Sequence, residues 1–316
     1  MSDKAAPARD TKAEHPAQPS APDNTSRVLF DDTQSGKTIG RFTPTEAKAC
    51  KTNAPEGTVP TLMPGKESKG CEFKGMRDMP RGLSHLDLPN IYNQAAPSTV
   101  RFDSTMSNPK DKNPKHAQDG PSGSGAIIGK DTEKGECLVA TANHVVSSDK
   151  NVKIDNIRGI TADGKTYPAE VRAADPKRDT AVVALKTGAD TDKVCKPFTP
   201  VQDVHQEAGN GKAVTSLGFA AGSRALYASP GKSEGIRPMR QDMSPRNLRD
   251  LGLAPDAHGL RLNNHVKGGQ SGGPVVNAEG KLTGLNQSGP DGSTRGSYAV
   301  PIDQKRVDDL LTRARR

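Results

Sequence analysis

One serine, Ser271, stands among glycines and a proline in VKGGQSGGPVV, residues 266–276. Strands avoid glycine, which has no side chain to pack and loses much backbone freedom on folding, so this density calls for bare backbone. A tight turn between strands is one reading of it. The other is chemical: glycines let peptide N–H groups converge beside a hydroxyl, where a carbonyl oxygen becomes negative during acyl transfer. That reading demands a base for the serine and a group to orient the base. Among seven histidines, His144 ends the apolar run CLVATANHVV beside small residues that leave room for an imidazole in a cleft. Asp179 lies in DPKRDTAVVALK, directly before another apolar run. Singly, the histidine reads as a hydrogen-bonded strand end and the aspartate as a turn or cap. Together, in the order His, Asp, Ser and 35 and 92 residues apart, they fit nucleophilic catalysis.

Positioning three such distant residues is the work of strands. From about Ala96 the chain becomes a series of short β-branched runs, among them STVRF, SGAIIG, TYPAEVRAA, TAVVALK, GLRLNNHV, GGPVVN, KLTGLNQSG and SYAVPI, separated by Gly, Pro, Asp and Asn. About eleven strands over some 220 residues suit two barrels better than one. After Pro301 the pattern turns helical, with Val307, Leu310 and Leu311 forming one apolar stripe, and the expectation is a C-terminal helix lying on the last barrel. The fold class is therefore all-β. Residues 93–316 form the folded domain; residues 1–92, rich in Ala, Pro, Ser and alternating charge, are expected to be a mostly disordered extension.

Bulk composition removes several function classes. The chain has 316 residues, net charge +8 and 32% hydrophobic residues. The first hundred residues carry roughly +1 of that charge, so the basic balance lies in the second half. A basic face attracts nucleic acid, but aromatics are 3% and Trp is absent, which leaves little for base stacking, and no nucleic-acid partner is expected. No apolar run spans a membrane, and the start lacks the apolar core of a secretory signal, so the expected place as written is the cytoplasm, or an exported compartment if the chain was trimmed. Cys50, Cys71, Cys137 and Cys195 include no close Cys-x-x-Cys pair, so no metal and no cofactor is expected. Cys50 and Cys71 flank a stretch that a bridge can close in an oxidising compartment; Cys137 and Cys195 are expected to be buried free thiols.

At this point a family resemblance becomes plain. APSTVRF, GSGAIIG, TANHVV, DGKTYPAEVRAADPKRDTAVVALK, VTSLGFAAG, GGQSGGPVVNAEGKLTGLNQS and GSYAVP follow, in that order, the trypsin-like serine proteases, and most nearly the protease domain of the HtrA (Deg) group. The resemblance implies a chymotrypsin-like double β-barrel with His144 and Asp179 on the first barrel and Ser271 on the second. It implies catalysis by His144, Asp179 and Ser271, an oxyanion hole formed by the N–H groups of Gly269 and Ser271, and polypeptide substrates. It also places a substrate pocket at His265, Gln287, Ser288, Gly289 and Gly296.

Three departures qualify what the resemblance implies. Gln270 stands where digestive relatives carry an aspartate that pairs with a newly cut N-terminus, so activation by N-terminal insertion is not expected. Gln287 replaces a small hydroxyl residue that supports the aspartate, which is expected to loosen that support. The chain stops at Arg316 without the PDZ domain usual in the HtrA group, so PDZ regulation is not expected, and no trimer-forming segment is recognisable. The pocket holds no aspartate for a basic side chain; a small or medium aliphatic preference is the expectation, with acidic selection through His265 as the alternative. The expected function is a serine endopeptidase, and the competing one a catalytically silent relative that binds through its cleft or basic face.

Overall fold

The structure is a computed structural model that describes residues 28–31, 38–42, 91, 94–110, 118–148, 152–219, 226–264, 266–288 and 296–316. Its strands are β1 (Val28–Asp31) and β2 (Thr38–Phe42); then β3 (Thr99–Ser107), β4 (Gln118–Asp119), β5 (Gly123–Asp131), β6 (Glu136–Thr141), β7 (Lys153–Ile160), β8 (Thr166–Asp175) and β9 (Thr180–Lys186). After these come β10 (Ala213–Gly218), β11 (Tyr227–Pro238), β12 (His258–Leu262), β13 (Pro274–Asn277), β14 (Leu282–Ser288) and β15 (Ser297–Pro301).

Two six-stranded antiparallel barrels result. In the first the order is β3-β5-β6-β9-β8-β7, closed by β3 on β7, with β4 added outside β3. In the second it is β10-β13-β14-β15-β12-β11, closed by β10 on β11. β1 joins the β11 edge in parallel, and β2 pairs antiparallel with β1, so the extension contributes two strands that its composition does not announce.

The most apolar strands are those with both faces covered. Along β6 and β9 successive side chains go to opposite faces, as strand geometry requires. Cys137, Val139, Ala181, Val183 and Leu185 fill the first barrel. Leu138, Ala140, Val182 and Ala184 instead face a shared core with Leu217, Val276, Leu282 and Leu285 of the second barrel. That shared layer is why both runs read as unbroken hydrophobics, and it sets the two barrels against each other.

The longest strand is the one the residue pattern conceals. β11 contains Pro230, Gly231 and Gly235, all poor strand formers. It forms because partners hold both edges: β10 along Tyr227–Lys232, and β12 along Ser233–Pro238, with an irregular register near Gly235 at φ +82°.

The C-terminal helix, Gln304–Arg315, starts at Asp303, whose carboxylate accepts from the Arg306 N–H at 2.8 Å. Val307 and Leu310 of the expected stripe are buried, Leu311 is partly buried, and Ala314, outside that stripe, is buried as well. The surface is different from the expected one: the helix lies over β5, β6, β8 and β9 of the first barrel. Gly129 on β5 is bare because a Cβ there would come within 2.8 Å of Leu311. Arg306 reaches Asp175 at 3.1 Å and the Thr180 hydroxyl at 2.8 Å, gripping the chain on both sides of Asp179. The second barrel's last segment thus straps the first.

The cysteines correct a further expectation. Cys137 and Cys195 form a disulfide with Cα atoms 5.5 Å apart, joining the start of β6 to the chain that leads into the second barrel. Both residues suit a buried apolar site, which is why free thiols looked sufficient; only their proximity reveals the bond. Cys50 and Cys71 lie outside the described residues.

Two outcomes follow for stability. Replacing both bridge residues, Cys137→Ala with Cys195→Ala, lowers the unfolding free energy by about 2–4 kcal/mol in urea titration. Arg306→Met lowers it by about 0.5–1.5 kcal/mol at neutral pH, because the Asp175 carboxylate loses its nearest cation and keeps only the more distant Arg178 and Arg313. Burial raises the Asp175 carboxyl, but the Arg306 hydrogen bond and charge more than offset it and hold the group below its ordinary 3.8. Because the folded value is depressed, this contribution is present above pH 3.8 and fades as pH falls through the folded value, so the wild type and Arg306→Met converge in acid.

Candidate active site

His144 enters the site from the end of β6. After Thr141 the chain passes through Ala142 in extended conformation and makes one helical turn, Asn143–Val146, that carries the imidazole. Its N–H donates to Asp179 Oδ1 at 2.9 Å, and ring Nδ1 meets Asp179 Oδ2 at 2.8 Å. This two-point grip fixes the ring plane and puts the proton on Nδ1, leaving Nε2 as an acceptor. The imidazole is 29% exposed, whereas Asp179 is completely buried.

Asp179 occupies a strained corner. It follows the short turn Pro176–Arg178 in left-handed conformation, φ +48° and ψ 46°, which aspartate tolerates better than most residues. Its carbonyl accepts from Asn143 N at 3.1 Å, tying the aspartate turn to the histidine turn. With Arg306 holding Asp175 and Thr180, the corner is pinned from both sides.

Ser271 sits on the turn before β13. The Gly269 and Gly272 φ angles are +91° and +79°, a region that strains any side chain. Gly272 must also be bare because a Cβ there would run into Thr141, Ser124 and Ala142 of the first barrel. Ser124 on β5 binds this turn twice: its N–H donates to the Ser271 carbonyl at 2.8 Å, and its hydroxyl donates to the Gly269 carbonyl at 2.9 Å. The same hydroxyl accepts from Phe219 N at 2.9 Å, and Thr141 donates to the Ser124 carbonyl at 2.7 Å. With Gly269's carbonyl turned inward, the N–H groups of Gly269 and Ser271 have no acceptor among the described residues. They remain available to a ligand oxygen. Ser124 was not singled out from the sequence, since a serine between two glycines carries no sign of its partners.

Gln270 is fully buried; its Oε1 accepts from Lys267 N at 2.7 Å, while Nε2 has no partner among the described residues. The turn is thus closed by its own side chain rather than by a charged chain end.

Gln287 overturns the expectation of weakened support. Its Nε2 donates to Asp179 Oδ2 at 3.2 Å, so the longer amide reaches the carboxylate that a small hydroxyl would serve. Its backbone carbonyl accepts from Ser271 Oγ at 3.3 Å. Gln287 therefore links the serine to the aspartate, which in turn binds the histidine. Ser271 Oγ has no hydrogen bond to His144 in this arrangement.

The remaining pocket residues divide. His265 and Gly289 lie outside the described residues. Ser288 ends β14 opposite Tyr298, and Gly296, at φ +80°, is buried before β15 with the Arg261 guanidinium filling the direction its side chain would take. Among the described residues no cluster of His, Cys, Asp and Glu is placed to hold a metal ion, and no helix is long and apolar enough to cross a membrane.

Comparison with known proteins identifies the family. Residues 123–285, just over half of the chain, match the trypsin-like peptidase domain. Serine protease HTRA1 of Xenopus laevis is 28% identical over 188 residues, covering 58% of this chain and 35% of that protein. Serine protease Do-like HtrA of Lactobacillus helveticus is 30% identical over 190 residues, covering 58% and 40%. A probable periplasmic serine endoprotease, DegP-like, of Brucella suis is 30% identical over 204 residues, covering 63% and 34%. The chain thus spans well under half the length of these relatives. In fold it is similar to the active form of the Rv3671c protease from M. tuberculosis, with TM-score 0.53, 19% identity and coverage of 75% of this chain and 88% of that one. The matched region holds most strands of both barrels, the His144–Asp179 pair and the glycine turn that carries Ser271, and the chain belongs to the trypsin-like peptidase domain family, with HtrA-like serine proteases as its relatives.

Proposed function

We propose that the chain is an endopeptidase that cuts polypeptides through an acyl-enzyme on Ser271. The observation that carries this reading is the continuous hydrogen-bonded path Ser271–Gln287–Asp179–His144 beside two N–H groups without acceptors. In the reaction the Ser271 hydroxyl swings from the Gln287 carbonyl to His144 Nε2, which takes its proton as Oγ attacks the substrate carbonyl. The carbonyl oxygen, now negative, is received by Gly269 and Ser271 N–H, each donor contributing about 2.7–4 kcal/mol in comparable sites. Asp179 stabilises the imidazolium, which then protonates the leaving amine. Water, activated by the same histidine, hydrolyses the ester. The reach of such a cleft suits exposed or unfolded segments, whose backbone is free to enter it. The Cys137–Cys195 bond favours work in an oxidising, exported setting over the cytoplasm.

The orientation of Ser271 Oγ toward Gln287 favours one competing reading, a silent binding relative. A fluorophosphonate probe separates the two. The full chain is expected to label once, at Ser271, and Ser271→Ala not at all; a native chain that never labels removes the hydrolase reading. Asp179→Asn is expected to lower kcat by about 10⁴, the loss seen when the tautomer is no longer held. Gln287→Met, which keeps length but removes the donor to Asp179, is expected to lower kcat by about 10–100-fold, with KM for a peptide substrate little changed.

A further inference from the structure

Ser124 lies in GSGA, residues 123–126, where β5 of the first barrel meets the second. The glycines beside it allow the close approach: a Cβ at Gly123 would run into Val145, next to His144, and one at Gly125 would lie 2.6 Å from Phe102 and from Val139. Gly218, at the end of β10, is bare for the same reason, since a Cβ there would come within 2.8 Å of the Gln270 Cα and 3.0 Å of the Ser124 hydroxyl. β5 is thus wedged between the turn that carries the imidazole and the turn that carries Ser271. Ser124 itself has no exposure to water.

Backbone hydrogen bonds claim some N–H groups of the serine turn and spare others. Gln270 N–H donates to the Lys267 carbonyl at 3.1 Å, Gly272 N–H to the Asn286 carbonyl at 2.7 Å and Gly273 N–H to the Gln270 carbonyl at 2.9 Å. The N–H groups of Gly269 and Ser271 have no acceptor among the described residues, and these are the two residues whose carbonyls Ser124 holds, one by its hydroxyl and the other by its N–H. A hydroxyl has a single hydrogen to give. Phe219 N–H can only donate, so its 2.9 Å contact uses Ser124 Oγ as an acceptor and the hydroxyl hydrogen is committed to the Gly269 carbonyl. The polarity of the contact is therefore fixed, and both turn residues that offer an N–H have their carbonyls drawn toward the first barrel.

Resting on the endopeptidase reading above, we propose that Ser124 is a positioning residue for acyl transfer, its hydroxyl holding the Gly269 N–H beside that of Ser271, where the negative carbonyl oxygen forms. Gly269, at φ +91°, has no side chain to limit its rotation, so the direction of its N–H depends on what holds its carbonyl. Removing the hydroxyl orphans two groups at once, the Gly269 carbonyl and the Phe219 N–H. Groups left so, facing each other across the vacated space, draw together or turn to other partners, and either motion moves the Gly269 backbone. Cradle donors act through their preset aim at the transition-state oxygen, so a small rotation is felt in the reaction and little in substrate binding. The Ser124 carbonyl accepts from Thr141 at 2.7 Å, which ties the same residue to the strand that leads to His144.

The test uses the full chain, a peptide that the wild type cuts, and active sites counted by complete fluorophosphonate labelling. Two inhibitors of that peptide's sequence accompany it: an aldehyde, which adds to Ser271 and places its oxygen in the cradle, and the matching alcohol, which does not react. Ser124→Ala is expected to lower kcat about 10–100-fold with KM little changed, and to weaken the aldehyde about tenfold or more while leaving the alcohol as it was. The chain with Cys137→Ala and Cys195→Ala, destabilised away from the turn, is expected to keep the wild-type ratio of aldehyde to alcohol affinity. Ser124→Cys keeps the size of the side chain should the alanine chain not fold; its sulfur holds the carbonyl more weakly, and it is expected to fall between. An alanine or cysteine chain that labels and equals the wild type in kcat and aldehyde affinity overturns the proposal and leaves the endopeptidase reading intact. So does a variant that loses aldehyde and alcohol alike, or an equal fall of their ratio in the chain without the bridge. A wild type that never labels overturns both readings.

Discussion

A carboxylate with no exposure to water needs its hydrogen bonds supplied by the protein, and much of this molecule is arranged around supplying them to Asp179. Its two oxygens receive the His144 N–H, the His144 ring and the Gln287 amide. The first two come from one barrel and the third from the other. Satisfying one buried charge therefore also sets the relative position of the barrels at the site. The left-handed backbone at Asp179 is part of the same arrangement, because it turns the carboxylate back toward the end of β6 while the chain goes on into β9. Such a corner persists only when its surroundings over-determine it. Here Asn143, Arg306 and the Pro176 carbonyl do so.

The serine turn is built on close approach. Bare glycines let the Gly269–Gly273 backbone press against Thr141, Ala142 and Ser124, and Ser124 then holds the turn by its own N–H and hydroxyl. A side chain at Gly272 would push the barrels apart at the point where their groups must meet. The same contact between barrels shapes the turn in which the Gly269 and Ser271 N–H groups have no acceptor among the described residues. The C-terminal helix acts on the same seam from the other side. It leaves the second barrel and lies on the first, so the chain's last residues brace the corner that carries Asp179.

Buried charge recurs in the second barrel with a different purpose. Asp242 gathers Arg237, Arg261 and Tyr298 about one oxygen, an arrangement that an apolar substitution would replace at little loss of stability. What such a cluster provides that hydrocarbon does not is a fixed, directed charge.

Residue types and order determined much of this protein. Short β-branched runs between turn residues marked eleven of the fifteen described strands, because such residues fit a pleated, packed surface, while β1, β2, β4 and β11 carried no such mark. The glycines around Ser271, with His144 and Asp179 at their separations, marked the candidate site, because the proposed acyl transfer needs those three groups whatever holds them. Four features were decided only in three dimensions. β11 forms through its neighbours although its own residues disfavour it. Cys137 and Cys195 are joined because two apolar segments converge. Gln287 supports Asp179 because its longer side chain carries an amide to the carboxylate. Arg261 faces Gly296 because the strands that carry them are neighbours across a barrel. Each depends on contacts between residues remote in the chain, and local composition carries no record of which distant surface a side chain will meet.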